Sequence, residues 1–161
     1  MLDATIWRLI AHHHNRDGAL RWSLRNGRIA IGWGAIGDIQ AQGSQSAEEI
    51  RDAIQHFYPE LSNSSNGGFS LWNFYPIMKP GDLVILRGNK EHRVVEVVGN
   101  YVFDRQNIPV EGGNYFHQWC VRFTPYDADV LWKQASHMAR DGGSIYRTLI
   151  RCERTLSANG L

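Results

Sequence analysis

Ile6, Arg8 and Ile10 alternate with Trp7, Leu9 and Ala11, a two-sided period of two that predicts a β-strand over residues 5–11. A histidine-rich loop follows. Asn26-Gly27 offers a tight hairpin turn, so residues 22–28 are expected to lead into a second, largely buried strand over residues 28–33. Gly32, Gly34 and Gly37 around its end predict close backbone approach. The period then changes to that of a helix. Ser46 and Glu49 form a capping box, and Ile50, Ala53, Ile54 and Phe57 recur at helical spacing until Pro59 stops the element. Residues 62–68, Ser-Asn-Ser-Ser-Asn-Gly-Gly, read as a mobile surface loop.

Lys79-Pro80-Gly81-Asp82 has the chemistry of a type II turn, from which residues 83–86 leave as a strand. Gly88 and Asn89 turn the chain, and the valine-rich run from Arg93 to Val98 is expected to pair antiparallel with that strand and continue to Phe103. Tyr115 to Phe123 is a further strand. Pro125 and Asp127 introduce a helix to about Arg140, with Leu131, Ala135 and Met138 on one side, before Gly142-Gly143 breaks it. Residues 145–154 fit either strand or helix. This order does not suit a doubly wound parallel sheet, and the predicted class is α+β: a small, closed or half-closed mixed β-barrel with peripheral helices. Residues 1–161 read as one domain, with a barrel core over about 5–125 and a helical or extended segment over 126–161.

Composition adds two constraints. The 161 residues are 43% apolar, enough for a core without disulfide or metal, and Cys120 and Cys152 lack the spacing of a zinc knuckle or redox pair, which predicts a reducing, cytoplasmic setting. No apolar run is long enough for a membrane span, and no charged leader precedes one near Met1. Net charge is only +1, yet residues 1–35 hold five Arg against two Asp, so a local basic face is allowed. Six Trp, six Tyr and six Phe must fill a core or line a pocket.

Three ordered segments carry a resemblance. Ile29-Ala-Ile-Gly-Trp33 with Gly37-Asp38, Leu71-Trp-Asn-Phe74 with Met78-Lys-Pro-Gly-Asp-Leu-Val-Ile85, and Val98-Gly-Asn-Tyr101 with Tyr115-Phe-His117 and Val121 resemble the EVE and YTH-like branch of the PUA-like superfamily over about residues 5–125. Such domains often serve as amino-terminal readers of prokaryotic modification-dependent restriction systems of the McrBC, Mrr or EVE–HNH kind. The resemblance implies a PUA-like barrel that binds double-stranded DNA and takes a flipped base, such as 5-methylcytosine or N6-methyladenine, into an aromatic cage. A nuclease or NTPase domain in the same or a partner chain would supply any catalysis, and no cofactor is implied.

Candidate base-binding residues are Trp33, Asp38, Trp72, Phe74, Tyr101, His117 and Trp22. Trp33 ends a strand at a glycine-rich turn, where its ring either walls a pocket or packs a core. Tyr101 and His117 each offer a ring with a polar tip. Trp72 and Phe74 are expected to share one strand face, as pocket wall or core. Asp38 suits an exocyclic amine, or else a turn or cap, and Trp22 either stacks on a neighbouring base or closes the barrel. Arg21, Arg25 and Arg28 around the predicted hairpin form one candidate phosphate strip, and Lys79, Arg87 and Lys90 a second; solvated strand edges are the alternative.

His12, His13 and His14 invite a metal reading, but adjacent residues of an extended chain point to alternate faces, and no companion ligand has suitable spacing. No Walker loop, HExxH, GxSxG or HNH signature occurs, which favours a binding module over an enzyme. Two other readings remain open at this point. One is a PUA-like RNA or tRNA binder; the other is an ASCH-type amidohydrolase acting on acylated cytidine, for which Lys79 with Asp82 or Glu96 would be the catalytic pair.

Overall fold

The computed structural model describes residues 4–10, 12, 14–61, 64–136 and 148–152. Six strands form one mixed sheet: β1 (Ile6–Leu9), β2 (Arg28–Ile31), β3 (Leu83–Arg87), β4 (His92–Phe103), β5 (His117–Phe123) and β6 (Leu149–Cys152), in the order β2-β5-β4-β3-β1-β6. β1 runs parallel to β3, and every other neighbouring pair is antiparallel. The helices are α1 (Arg16–Asn26), α2 (Ile39–Gln42), α3 (Ala47–Phe57), α4 (Ser64–Trp72) and α5 (Ala128–Ser136). The fold is thus α+β, as the patterning predicts. No described helix is long and apolar enough to cross a membrane.

One apolar cluster takes inward residues from all six strands, among them Ile29, Val84, Val97, Trp119 and Leu149, and is closed by Ile50, Ile54, Leu71 and Phe74 from α3, α4 and the turn beyond. The sheet has one face on this cluster. It does not close: β2 and β6 form its two ends and do not pair, so of the closed or half-closed barrel that the sequence predicts, the closed form is not seen. Helix α4 stands in the gap. Asn66 bonds Thr148 beside β6 through their side chains at 3.4 Å, while a Cβ on Gly67 would lie 2.9 Å from the Trp33 ring just beyond β2. On the outer face Ile6, Leu83, Ile85 and Val94 pack under Ala128, Leu131 and Ala135 of α5. Arg8, fully buried there, lies 5.2 Å from the Trp132 ring centroid.

Two segments differ in kind from the sequence reading. Residues 16–26 form a helix rather than a hairpin arm: the Asn15 side chain caps its start, and Gly27 ends it at φ 62°, ψ 37° with its N–H on the Ser23 carbonyl. Asn26-Gly27 is therefore a helix stop. Residues 64–68, expected in a loop, open α4, because Gly67 and Gly68 allow an approach to α3 that a side chain would block. A Cβ there would come within 2.7 Å of Ile54 and 2.8 Å of Arg51, respectively. Trp72 consequently ends a helix and Phe74 lies in the kinked turn after it, so they do not share a strand face.

Elsewhere the patterning matches the structure. The Ser46 hydroxyl accepts from Glu49 N–H, although the Glu49 carboxylate returns to Gln45 N–H rather than to Ser46. The turn at 79–82 closes with Asp82 N–H on the Lys79 carbonyl and Gly81 at φ 96°. The β3–β4 hairpin forms with Val84 opposite Val95, and residues 149–152 form a strand. The expected continuation of the last helix to Arg140, including Met138 and the Gly142-Gly143 break, lies outside the described residues.

Asp82 joins the turn to β1. Its carboxylate, 1% exposed, accepts from Thr5 N–H at 3.1 Å, Trp7 Nε1–H at 3.0 Å and Lys79 N–H at 3.1 Å. Asp82→Ala should cost about 3 kcal/mol, since it strands three donors, while leaving the sheet topology unchanged. Chemical denaturation checks this, and a loss below about 0.5 kcal/mol would contradict it.

Candidate functional site

At the end of the sheet where β2 stops and β5 begins, Ile31 is opposite His117, which is also opposite Phe103 of β4. Five residues of β4, Val97 to Tyr101, span only three of β5, Val121 to Trp119, so β4 bulges before this point. The bulge and the following register bring Tyr101 beside His117. The Tyr101 hydroxyl lies 2.6 Å from His117 Nδ1, and His117 Nε2 lies 3.3 Å from the Trp33 carbonyl oxygen. A carbonyl only accepts. Nε2 therefore carries the hydrogen, Nδ1 accepts, and the tyrosine hydroxyl donates.

Burial enforces this arrangement. His117 is 0% and Tyr101 5% exposed. Desolvation lowers the imidazole pKa to about 4, and it also raises that of the Tyr101 phenol, with the charge of Asp38 as the next cause. A neutral histidine and a neutral tyrosine thus hold the backbone of Trp33 from within.

Trp33 is the one described non-glycine residue with positive φ, at φ 63°, ψ 30°. For an L-residue this costs ~1–2 kcal/mol. Its neighbours impose the turn. Gly34 donates its N–H to the Asn114 carbonyl at 2.9 Å, and a Cβ at Gly34 would sit 2.4 Å from both that oxygen and the Phe116 ring. The Tyr58 hydroxyl accepts from Ala35 N–H and from Asn114 Nδ2, fastening the short 3₁₀ turn 34–36 to the end of α3. Trp33 is half-buried, its ring leaning on Gly67 and packing against the main apolar cluster.

Asp38 caps α2, its Oδ1 accepting from Gln40 and Ala41 N–H, while its Oδ2 accepts no hydrogen bond among the described residues. It is half-buried and close enough to Tyr101 and His117 to act electrostatically on both. Sequence reasoning missed Tyr75. The following proline holds it extended at φ −151°, ψ 122° in the kinked turn 73–77, and its half-buried ring lies 4.7 Å from that of Tyr101. Its signal was Pro76, which removes Tyr75 from the helical path.

Of the predicted base-binding set, then, Trp33, Asp38, Tyr101 and His117 are brought together. Tyr101 and His117 are too buried to serve as open walls and instead position Trp33. Phe74 is 0% exposed, and its carbonyl accepts from Trp119 Nε1–H at 2.7 Å, so it belongs to the core. Trp72 is half-buried against the same core. Trp22 donates to Asn107 Oδ1 at 3.0 Å and ties α1 to the β4–β5 connection.

The predicted phosphate strips are rearranged. Arg21 and Arg25 are exposed, one turn apart on α1, whereas Arg28 on β2 is bound to Asp104 at 2.7 Å and Gln118 at 3.0 Å. Lys79 precedes β3 and Arg87 ends it. The strand between them spans ~16 Å, so Lys79 does not share a strip with Arg87 and Lys90. Arg87 instead lies near Arg16; burial, and then the Arg16 charge, lower its pKa.

His12 Nδ1 accepts from His14 and Asn15 N–H, which occupies its lone pair, and His13 lies outside the described residues. Among the described residues no group of three His, Cys, Asp or Glu is placed to hold a metal ion. Asp82 is buried on three donors and Glu96 is bridged by Arg122, so neither carboxylate converges with the Lys79 ammonium as an amidohydrolase would need. An open groove of about 520 Å³ between residues 90–93 and 123–129 lies at the opposite end of β4 and is lined mainly by polar groups.

These features define an α+β domain in which a half-buried tryptophan with a left-handed backbone is held by a buried tyrosine–histidine pair, with the Asp38 carboxylate near that pair. The chain belongs to the family described as Domain of unknown function (DUF8426), whose model matches residues 7–136. No curated protein matches it.

The neutral His117 has a consequence for stability. Its folded pKa lies below the ordinary 6.5, so between these values the unfolded chain binds a proton that the folded one refuses. Stability should therefore fall as pH drops from about 6.5 to about 4 and level off below for this group. His12, lowered by burial and by His14, acts in the same direction. Denaturant midpoints measured across that window should decline less steeply for His117→Gln, and equal slopes would rule His117 out as the cause.

Proposed function

We propose that this protein is a nucleobase-recognition module that takes one base, rotated out of a DNA duplex, against the Trp33 ring. Asp38 Oδ2 accepts from the exocyclic amine of that base, and a methyl or hydroxymethyl group distinguishes it from its unmodified form. The open sheet then takes the part of a PUA-like barrel, with α4 beside its gap. On this reading the chain is the specificity part of a modification-dependent restriction system, with cleavage carried out by a nuclease or NTPase partner.

Trp33 carries the reading. A residue retained in a conformation that glycine would adopt freely is characteristic of functional sites, and here a buried pair and a tight turn maintain it. Energetics suit the task. Extraction of a base costs a few kcal/mol, and stacking on an aromatic ring returns ~1–3 kcal/mol. One buried methyl adds ~0.8 kcal/mol, about a fourfold preference, and more where its absence leaves a void.

Binding at one fixed salt concentration to matched duplexes containing cytosine, 5-methylcytosine, 5-hydroxymethylcytosine or N6-methyladenine tests the proposal, with an RNA duplex alongside. One modified DNA should bind at least about fourfold tighter than its unmodified match. Trp33→Gly, which fits the left-handed backbone, should abolish that preference and leave the fold intact. Equal binding to all DNAs, or tighter binding to RNA, would contradict the reading.

A further inference from the structure

Arg105 lies just beyond β4, exposed, with its guanidinium carbon 5.1 Å from the Phe103 ring centroid and 5.3 Å from that of Phe116. Those rings meet edge to face at 5.7 Å. Arg105 makes no ion pair or hydrogen bond among the described residues. The adjacent carboxylate is already engaged: Asp104 accepts from Arg28 Nη1, Gln106 N–H and Asn107 N–H, which, with Arg28, hold its pKa below the ordinary range. A guanidinium resting on aromatic rings keeps its N–H edge free for an oxyanion and loses little freedom on binding one.

Its two rings lead directly to the base site. The Phe103 ring lies 5.2 Å from His117, and the Phe116 ring abuts Gly34, the residue after Trp33. We propose that Arg105 is the residue that binds the phosphodiester flanking the extracted base, held on Phe103 and Phe116, whose rings meet His117 and Gly34 next to the Trp33 backbone. This rests on the nucleobase reading for its ligand class. It moves the principal phosphate contact from Arg28, which is held by Asp104 and Gln118, to a residue outside both predicted basic strips.

The test is binding of the full chain to 5-methylcytosine and unmodified duplexes between about 50 and 200 mM salt, a range over which phosphate contacts are resolved. Arg105→Gln should weaken both duplexes by about tenfold and reduce the salt slope by ~0.9, without altering the ratio between them. Arg105→Lys should restore the slope and only part of the affinity. Arg93→Gln, at the other end of β4 in a pair with Glu91, should leave the slope unchanged. Wild-type affinity and slope in Arg105→Gln overturn the proposal, as does weaker binding with an unaltered slope, which would mark a packing role. A wild-type chain with no preference among duplexes, but with the slope change intact, refutes the base reading and supports the phosphate contact; absence of duplex binding overturns both.

Discussion

A hydrogen bond from a buried, neutral imidazole to a main-chain carbonyl determines where the half-buried tryptophan Trp33 stands. His117 donates from Nε2 to the Trp33 oxygen while its Nδ1 accepts from Tyr101, and both side chains stay uncharged because they are out of water. Loss of either partner leaves a polar group unsatisfied in the interior. The left-handed backbone of Trp33, unfavourable alone, is thereby over-determined from one side by this pair and from the other by the Gly34 contact with Asn114.

The sheet supplies the positions this requires. The bulge before Tyr101 re-aims the end of β4, Gly99 fits against Cys120 there, and the resulting register puts His117 opposite both Ile31 and Phe103. Helix α4 completes the arrangement by occupying the gap between the end strands, its glycines meeting both α3 and the Trp33 ring. The opening of the sheet and the packing of Trp33 against α4 are therefore one feature. A fully paired barrel would leave no room for α4, and a bulkier residue at Gly67 would push the indole away.

Much of this was legible in the residues. Alternating valines, the Pro-Gly turn at 80–81 and the Ser46 cap encode local geometry in short windows, and those elements form where expected. The site was partly legible, because glycines on both sides of Trp33 mark a turn that approaches other backbone closely. What failed depended on tertiary packing. Helix α1 buries only Ala19, Leu20 and Ser23, too faint a stripe to outweigh Asn26-Gly27 as a hairpin signal. In α4, Ser-Ser-Asn-Gly-Gly has low intrinsic helicity, and contacts with α3 offset it. Burial of Phe74, Tyr101 and His117, and the ring platform beneath Arg105, follow from strand register across distant segments, which no local pattern reports.

The account stands on the Trp33 ring meeting a base. The most direct measurement is the indole N–H resonance of each tryptophan, followed by NMR as a modified and then an unmodified duplex are added. Stacking predicts a large upfield displacement of the Trp33 ring signals with the modified duplex, while Trp7 and Trp119, whose N–H groups are bonded inside the core, stay in place. A Trp33 signal unmoved by a duplex that binds would contradict the account and make the strained turn a packing feature of the fold.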